Sequence, residues 1–142
     1  MLSSMNPQFK CSNFSCTVYV EDTDFQGVVY HANYLKYLER ARSQFLIEHN
    51  LSQTKAMTIE NGSYVVKSVY LEYLNPAHLE DELTVETIIE YQSKARTLFL
   101  QSILNLKNDT LICKGNVEVC FIDNSSGKPK SFPKRLLNLF LN

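Results

Sequence analysis

The sequence has no surplus of charge, no long apolar run and no closely paired cysteines, and each absence removes a class of function. Fourteen basic residues against fifteen acidic ones leave a net charge of −1, so nothing draws the chain generally to nucleic acid or to an anionic membrane. No stretch approaches the roughly 20 apolar residues of a membrane-spanning helix. Met1 to Lys10 carries Asn6, Pro7 and Gln8 where a secretory signal needs a continuous apolar core. The expectation is a cytoplasmic protein with no transmembrane segment and no nucleic-acid partner. Cys11, Cys16, Cys113 and Cys120 lack a C-x-x-C spacing and read as reduced thiols, with neither a metal site nor a disulfide expected from them.

What the chain does have is enough apolar content for a core. At 142 residues and 44% hydrophobic, one domain over 1–142 is expected. Residues 1–12 read as a loose start that joins a sheet edge or stays mobile. Phe14 to Val20 alternates with a period of two, as a half-buried strand does. Tyr34, Tyr37, Leu38, Ala41 and Phe45 then recur at helical spacing with no internal glycine or proline, predicting one amphipathic helix from about Asn33 to His49, roughly 25 Å long. Asn50 to Ser63 reads as a loop with one short helical turn. Strand patterns follow over Tyr64–Leu74, Leu83–Tyr91, Leu98–Leu106 and Leu111–Phe121, joined mostly by polar turns, and Pro133 is placed to start a short C-terminal helix. The order predicts α+β, with a five-stranded, largely antiparallel sheet and one long helix. One helix covers only part of such a sheet, so a second subunit is expected against the remainder.

Between the first strand and the long helix lies Glu21-Asp22-Thr23-Asp24-Phe25-Gln26-Gly27-Val28-Val29-Tyr30-His31-Ala32-Asn33-Tyr34. It places two carboxylates, a glycine and a histidine at a helix N-terminus, where unpaired N–H groups and the positive end of the helix dipole favour developing negative charge. Backbone N–H groups of Tyr30 and His31 are the expected oxyanion donors. Asp24 is the expected chemical carboxylate, acting as nucleophile or as general base. Asp22 and Gly27 are expected to shape the turn, and His31 to assist. A capping aspartate and a satisfied histidine are the bland alternatives for Asp24 and His31. His49 and His78 read as ordinary surface residues. Asp22-x-Asp24-x-Gln26-Gly27 imitates the opening of a calcium loop, but the twelfth position is Asn33 and the preceding segment has strand periodicity.

In this run, and in Glu39-Arg40-Ala41-Arg42 further along the helix, the chain resembles the 4-hydroxybenzoyl-CoA thioesterase family of hotdog-fold acyl-CoA thioesterases, nearest to its Tol-Pal-associated branch. The resemblance implies a hotdog fold, a sheet wrapped around the long helix, and assembly as a homodimer or homotetramer. It implies hydrolysis of an acyl thioester carried on coenzyme A or on an acyl carrier protein, without a cofactor. Its catalytic aspartate falls on Asp24, and a contributing histidine falls on His31. Its basic, nucleotide-contacting hairpin falls on Lys94 and Arg96, while the Lys128, Lys130, Lys134 and Arg135 cluster reads as solvated surface. Val20 stands where close relatives often carry tyrosine. Two other readings remain open: a hydroxyacyl thioester dehydratase pairing His31 with Glu39, and a noncatalytic module binding an acyl carrier or a phospholipid enzyme.

Overall fold

Six strands form one antiparallel sheet in the computed structural model, which describes residues 6–141. They are β1 (Gln8–Lys10), β2 (Phe14–Thr17), β3 (Gly62–Tyr73), β4 (Glu82–Ser93), β5 (Arg96–Asn105) and β6 (Leu111–Asp123). The order across the sheet is β1-β4-β5-β6-β3, and β2 also pairs with β4. Phe14 lies opposite Val85 while Gln8 lies opposite Glu90, so β1 and β2 share one lane along β4. The expected five-stranded sheet is thus five lanes filled by six strands. Of the expected loose start, residues 1–5 lie outside the described residues, and Gln8–Lys10 takes the sheet-edge alternative.

Helix α1 (Tyr34–Glu48) follows a 3-10 turn at His31–Asn33. Its buried residues are Tyr34, Tyr37, Leu38, Ala41, Phe45 and Leu46, which reproduces the stripe read from the sequence. Fully burying a leucine such as Leu38 contributes about 1.5–3 kcal/mol. The core divides into two clusters along the helix. One gathers Val18, Val29 and Tyr34 at its N-terminal end, and the other gathers Phe45, Phe99 and Phe121 at its C-terminal end. Buried Gln101 lies between α1 and β4: its amide donates to the Leu38 carbonyl and the Thr87 hydroxyl at 3.1 Å each, while its carbonyl accepts from Arg42 at 2.9 Å. This side chain is satisfied on both ends, as a polar group in a core must be.

Asn50 to Ser63 contains more order than one turn. Ser52 accepts the Lys55 N–H at 3.2 Å and caps α2 (Gln53–Ile59). Helix α3 (Lys134–Asn138) begins directly after Pro133, the position where a missing N–H is tolerated. All four cysteines are free. Burial pushes the Cys11 and Cys113 thiols up to about 12 and that of Cys16 to about 11, so these thiols are inert as nucleophiles at neutral pH.

Candidate active site

The stretch between β2 and α1 folds as a miniature hairpin. Thr23 pairs with Val29, the Asp24 N–H donates to the Val28 carbonyl at 2.9 Å, and the Gly27 N–H donates to the Asp24 carbonyl at 3.0 Å. Phe25 and Gln26 form the apex, and Phe25 is 97% exposed. Gly27 closes the turn at φ 80°, while a Cβ built there meets nothing within 4 Å. The demand is therefore on backbone angle and not on space. Gly27→Ala is expected to lower stability by about 1–2 kcal/mol, as a fall in the urea midpoint would report.

The same turn fixes Asp24. The Gln26 N–H donates to one carboxylate oxygen at 2.8 Å, and the other has no hydrogen bond among the described residues. Asp24 is partly exposed, so its carboxylate is held from one side and open on the other. Asp22 is buried instead, at 7% exposure. Its carboxylate accepts the Tyr19 N–H at 2.9 Å, and its carbonyl accepts both the Tyr30 N–H at 3.0 Å and the Asn33 amide at 2.8 Å. Asp22 thereby ties the first 3-10 turn, Val20–Asp22, to the start of the helix. Tyr19 and Val20 are both exposed, at 62% and 74%.

This geometry corrects one expected donor. The Tyr30 N–H is committed to Asp22, so it is not free for a ligand oxygen. The N–H groups of His31 and Ala32 have no hydrogen-bond acceptor among the described residues, and they are the first open donors of the helix. The His31 side chain is exposed, its ring 4.6 Å from that of Tyr30 and 6.0 Å from that of Tyr73. No hydrogen bond joins His31 to Asp24 or to Glu39. Eight residues of helix separate His31 from Glu39, about 12 Å of rise, and Glu39 accepts a hydrogen bond from Ser43. Within one chain, the acid–base pair of a dehydratase is not assembled.

Within one chain, Lys94 and Arg96 lie far from Asp24. The hairpin carrying Asp24 is tied in just before β4, where Val28 bridges His78 and the Val29 N–H donates to the Ala77 carbonyl at 2.9 Å. Lys94 and Arg96 lie at the other end of this 12-residue strand, roughly 40 Å away. Arg96 is also paired with Glu118 at 3.2 Å. His78 is exposed, as expected, with its N–H donating to Asp81. His49 is not an ordinary surface residue: its ring packs 4.5 Å from Phe45 and 5.7 Å from Phe9. The roles of Asn33 and Tyr73 were not read from the sequence. Asn33 stood inside the motif, and its amide was the available signal.

A cavity of about 300 Å³ lies between α1, α2 and β3, with Glu39, Arg42 and Ser43 beside apolar Leu46, Phe99 and Val119. It is small, with polar and apolar side chains both in its lining. Among the described residues, no group of three or more histidine, cysteine, aspartate or glutamate side chains is arranged to hold a metal ion.

Comparison with known proteins identifies the framework. Residues 18–140 match the family model of the thioesterase-like superfamily. The chain is 40% identical over 123 residues to the acyl-CoA thioester hydrolase YbgC of Escherichia coli O6:H1, covering 87% of this chain and 90% of that protein. It is 36% identical over 126 residues to the acyl-CoA thioesterase YbgC of Helicobacter pylori, covering 84% and 92%. Among solved structures, a probable thioesterase from Bartonella henselae superposes with a TM-score of 0.79 at 35% identity, covering 87% of this chain and 99% of that one. A 1,4-dihydroxy-2-naphthoyl-CoA thioesterase from Synechocystis shares the fold, with a TM-score of 0.86 at 21% identity over 95% and 96% of the two chains. The chain belongs to the thioesterase-like superfamily and is a hotdog-fold thioesterase.

Proposed function

We propose that this protein hydrolyses an acyl-CoA thioester to the free acid and coenzyme A, with Asp24 as the reacting carboxylate and the open N–H groups of His31 and Ala32 as the oxyanion site. The observation that carries the reading is the Asp24 turn, which leaves one carboxylate oxygen free in the hairpin that leads into the uncommitted helix donors. The names of the YbgC relatives support the choice of acyl-CoA.

The chemistry follows from the groups available. A thioester carbonyl has little resonance stabilisation, and a thiol with an ordinary pKa of about 8.5 leaves readily. Asp24 either attacks the carbonyl, expelling the thiolate to leave a mixed anhydride that water then opens, or takes a proton from water as that water attacks. In both routes negative charge gathers on the carbonyl oxygen, where two backbone donors contribute a few kcal/mol. Neither route asks for a metal or redox cofactor. The 300 Å³ cavity is offered as the acyl compartment. Cytoplasmic residence fits the reduced thiols.

The site is completed, in this reading, by a second copy of the chain. Strand β3 has β6 on one side and, among the described residues, no strand on the other, while Val66, Val69 and Tyr70 on it are 50%, 44% and 58% exposed. A 12-residue open edge with exposed apolar residues invites another strand. Antiparallel pairing of β3 with its copy satisfies twofold symmetry and sets the Tyr73 end of one strand beside the Tyr64 end of the other. That brings the Asp24 end of one copy to the cavity of its partner. The double variant Val66→Glu, Tyr70→Glu is expected to sediment as a monomer and to lose activity by roughly tenfold or more, through loss of substrate positioning. A dimer of full activity would contradict the assembly.

Product analysis tests the reaction itself. Incubation with an acyl-CoA should give free acid and free thiol in equal amounts. A thioester recovered intact but dehydrated would replace hydrolysis with dehydratase chemistry, and a thioester recovered unchanged would favour a binding module.

A further inference from the structure

The Glu39-Arg40-Ala41-Arg42 run plays no part in the chemistry at Asp24, yet its last residue is the one cation, among the described residues, in the lining of the 300 Å³ cavity. Arg42 is half-buried on α1. Its guanidinium donates to the Gln101 side-chain carbonyl at 2.9 Å, and that carbonyl faces Arg42 because the amide end of Gln101 is held by Leu38 and Thr87. A buried glutamine thus clamps the guanidinium. The clamp is neutral, so the charge is fixed in place and left uncompensated. Among the described residues no carboxylate lies within ion-pair distance of Arg42. Glu39, the one carboxylate of the described lining, is exposed and accepts from the Ser43 hydroxyl instead. Burial outweighs the opposing pull of Glu39 and lowers the Arg42 pKa from its ordinary value.

A second polar group in the same lining is unmatched. Tyr64 borders the cavity from β3, and its hydroxyl is buried without a hydrogen-bond partner. A buried polar group left unpaired is costly, and a guanidinium with unused donors presents a planar fork that suits a carboxylate. Leu46, Phe99 and Val119 beside them offer apolar contact to an acyl chain. A plain alkyl tail would fill this space and leave both polar groups unmatched. A tail ending in a carboxylate would pair with them. Burying an ionised carboxylate without a partner is strongly unfavourable, so the same cavity without Arg42 would reject such a tail.

We infer that Arg42 determines acyl specificity: the preferred acyl group carries an ionised carboxylate at its far end, bound by the Arg42 guanidinium with the Tyr64 hydroxyl as a second donor. The substrate class is the coenzyme A monothioester of a dicarboxylic acid, which one water converts to the free dicarboxylic acid and coenzyme A. The inference rests on the thioester reading above and on the cavity as acyl compartment. Asp24 and the open helix donors act on the thioester carbonyl, at one end of the acyl group, whereas Arg42 reads the other end. In the β3-paired dimer the Asp24 end of one copy meets the cavity of the second, so a thioester held at Asp24 sends its tail toward the partner's Arg42.

Thiol release by the full-length protein from adipyl-, suberyl- and sebacyl-CoA, set against hexanoyl-, octanoyl- and decanoyl-CoA of matching length, tests this. At least one carboxylate substrate should exceed its alkyl counterpart in kcat/KM by about tenfold or more. The monomethyl ester of the favoured acyl group, which loses the charge, should lose that advantage. Arg42→Gln should abolish the ratio, and Arg42→Lys should restore part of it, because the charge returns without the fork. Tyr64→Phe, which removes only the unpaired hydroxyl, should reduce the ratio and serves if the Arg42 variants fail to fold. Lys36→Gln, exposed on the same helix and outside the cavity, should leave the ratio as it is. No carboxylate preference at any length would overturn the inference, as would a preference that persists in folded Arg42→Gln or is unchanged in Tyr64→Phe. An equal advantage for the methyl ester would overturn it too, since charge would then not be read. Hydrolysis of alkyl and carboxylate substrates alike removes only this inference, whereas intact thioesters throughout, aromatic acyl-CoA included, would remove the proposed function with it.

Discussion

Asp24→Asn is expected to lower kcat for thioester hydrolysis by about a thousandfold or more, while circular dichroism and the urea midpoint stay close to those of the unaltered protein. The expectation comes from the separate duties of the two carboxylate oxygens. One accepts the Gln26 N–H at 2.8 Å, and the asparagine carbonyl oxygen can accept that same bond. The turn that Gly27 closes is therefore preserved. The amide has lost the negative charge, so it neither attacks a carbonyl nor removes a proton from water. KM should move much less than kcat, because the loss is confined to the transition state. If Asp24 only shaped the turn, kcat would survive with the fold. Asp22→Asn should differ in kind: its residue is buried and ties together Tyr19, Tyr30 and Asn33, so stability and activity should fall together.

Gly115→Ala is expected to destabilise the protein by about 3 kcal/mol or to prevent folding altogether, seen as a large fall in the urea midpoint. Gly115 sits in β6 opposite Leu71 of β3. An added Cβ would stand 1.8 Å from the Tyr70 carbonyl oxygen and 2.9 Å from the Leu71 Cα. Both obstacles are backbone, so no side-chain rotation relieves them, and β3 would have to leave β6. Tyr73, at the end of β3, packs against His31 and Tyr34, so the displacement would reach the active-site end and the open edge alike. Gly62→Ala meets a different obstacle, the Phe121 ring at 2.5 Å or closer with the Ile122 carbonyl at 3.1 Å, and because that ring is fully buried a substantial loss of stability is expected there too.

The framework was readable because its signals are long. The stripe from Tyr34 to Phe45 and the alternation in β3 to β6 each span several periods, enough to fix element type and, with polar turns between them, an antiparallel order. Short elements carried no such signal. β1 is three residues long and β2 four, and the hairpin around Asp24 rests on the single pair Thr23 and Val29, too little for a period to show. That is why a direct strand-to-helix junction was expected where the chain first doubles back. Tyr30 as an oxyanion donor failed for a related reason: the acceptor that takes its N–H is the Asp22 carbonyl, eight residues away in sequence, and only the folded hairpin brings the two together. Lys94 and Arg96 were readable as a basic turn, but their distance from Asp24 depends on where β4 starts and ends. The orphaned Tyr64 hydroxyl and the cavity beside it exist only after α2, β3 and the C-terminal segment have packed.

The central claim is that Asp24 drives thioester hydrolysis at this site. Its most direct test is the rate of free-thiol release from short-chain, long-chain and aromatic acyl-CoA substrates by the purified protein and by Asp24→Asn, side by side at equal concentration and verified folding. The account predicts steady turnover of at least one substrate class by the unaltered protein and none above the uncatalysed rate by the variant. Equal turnover by both proteins, or no turnover by either, would contradict it.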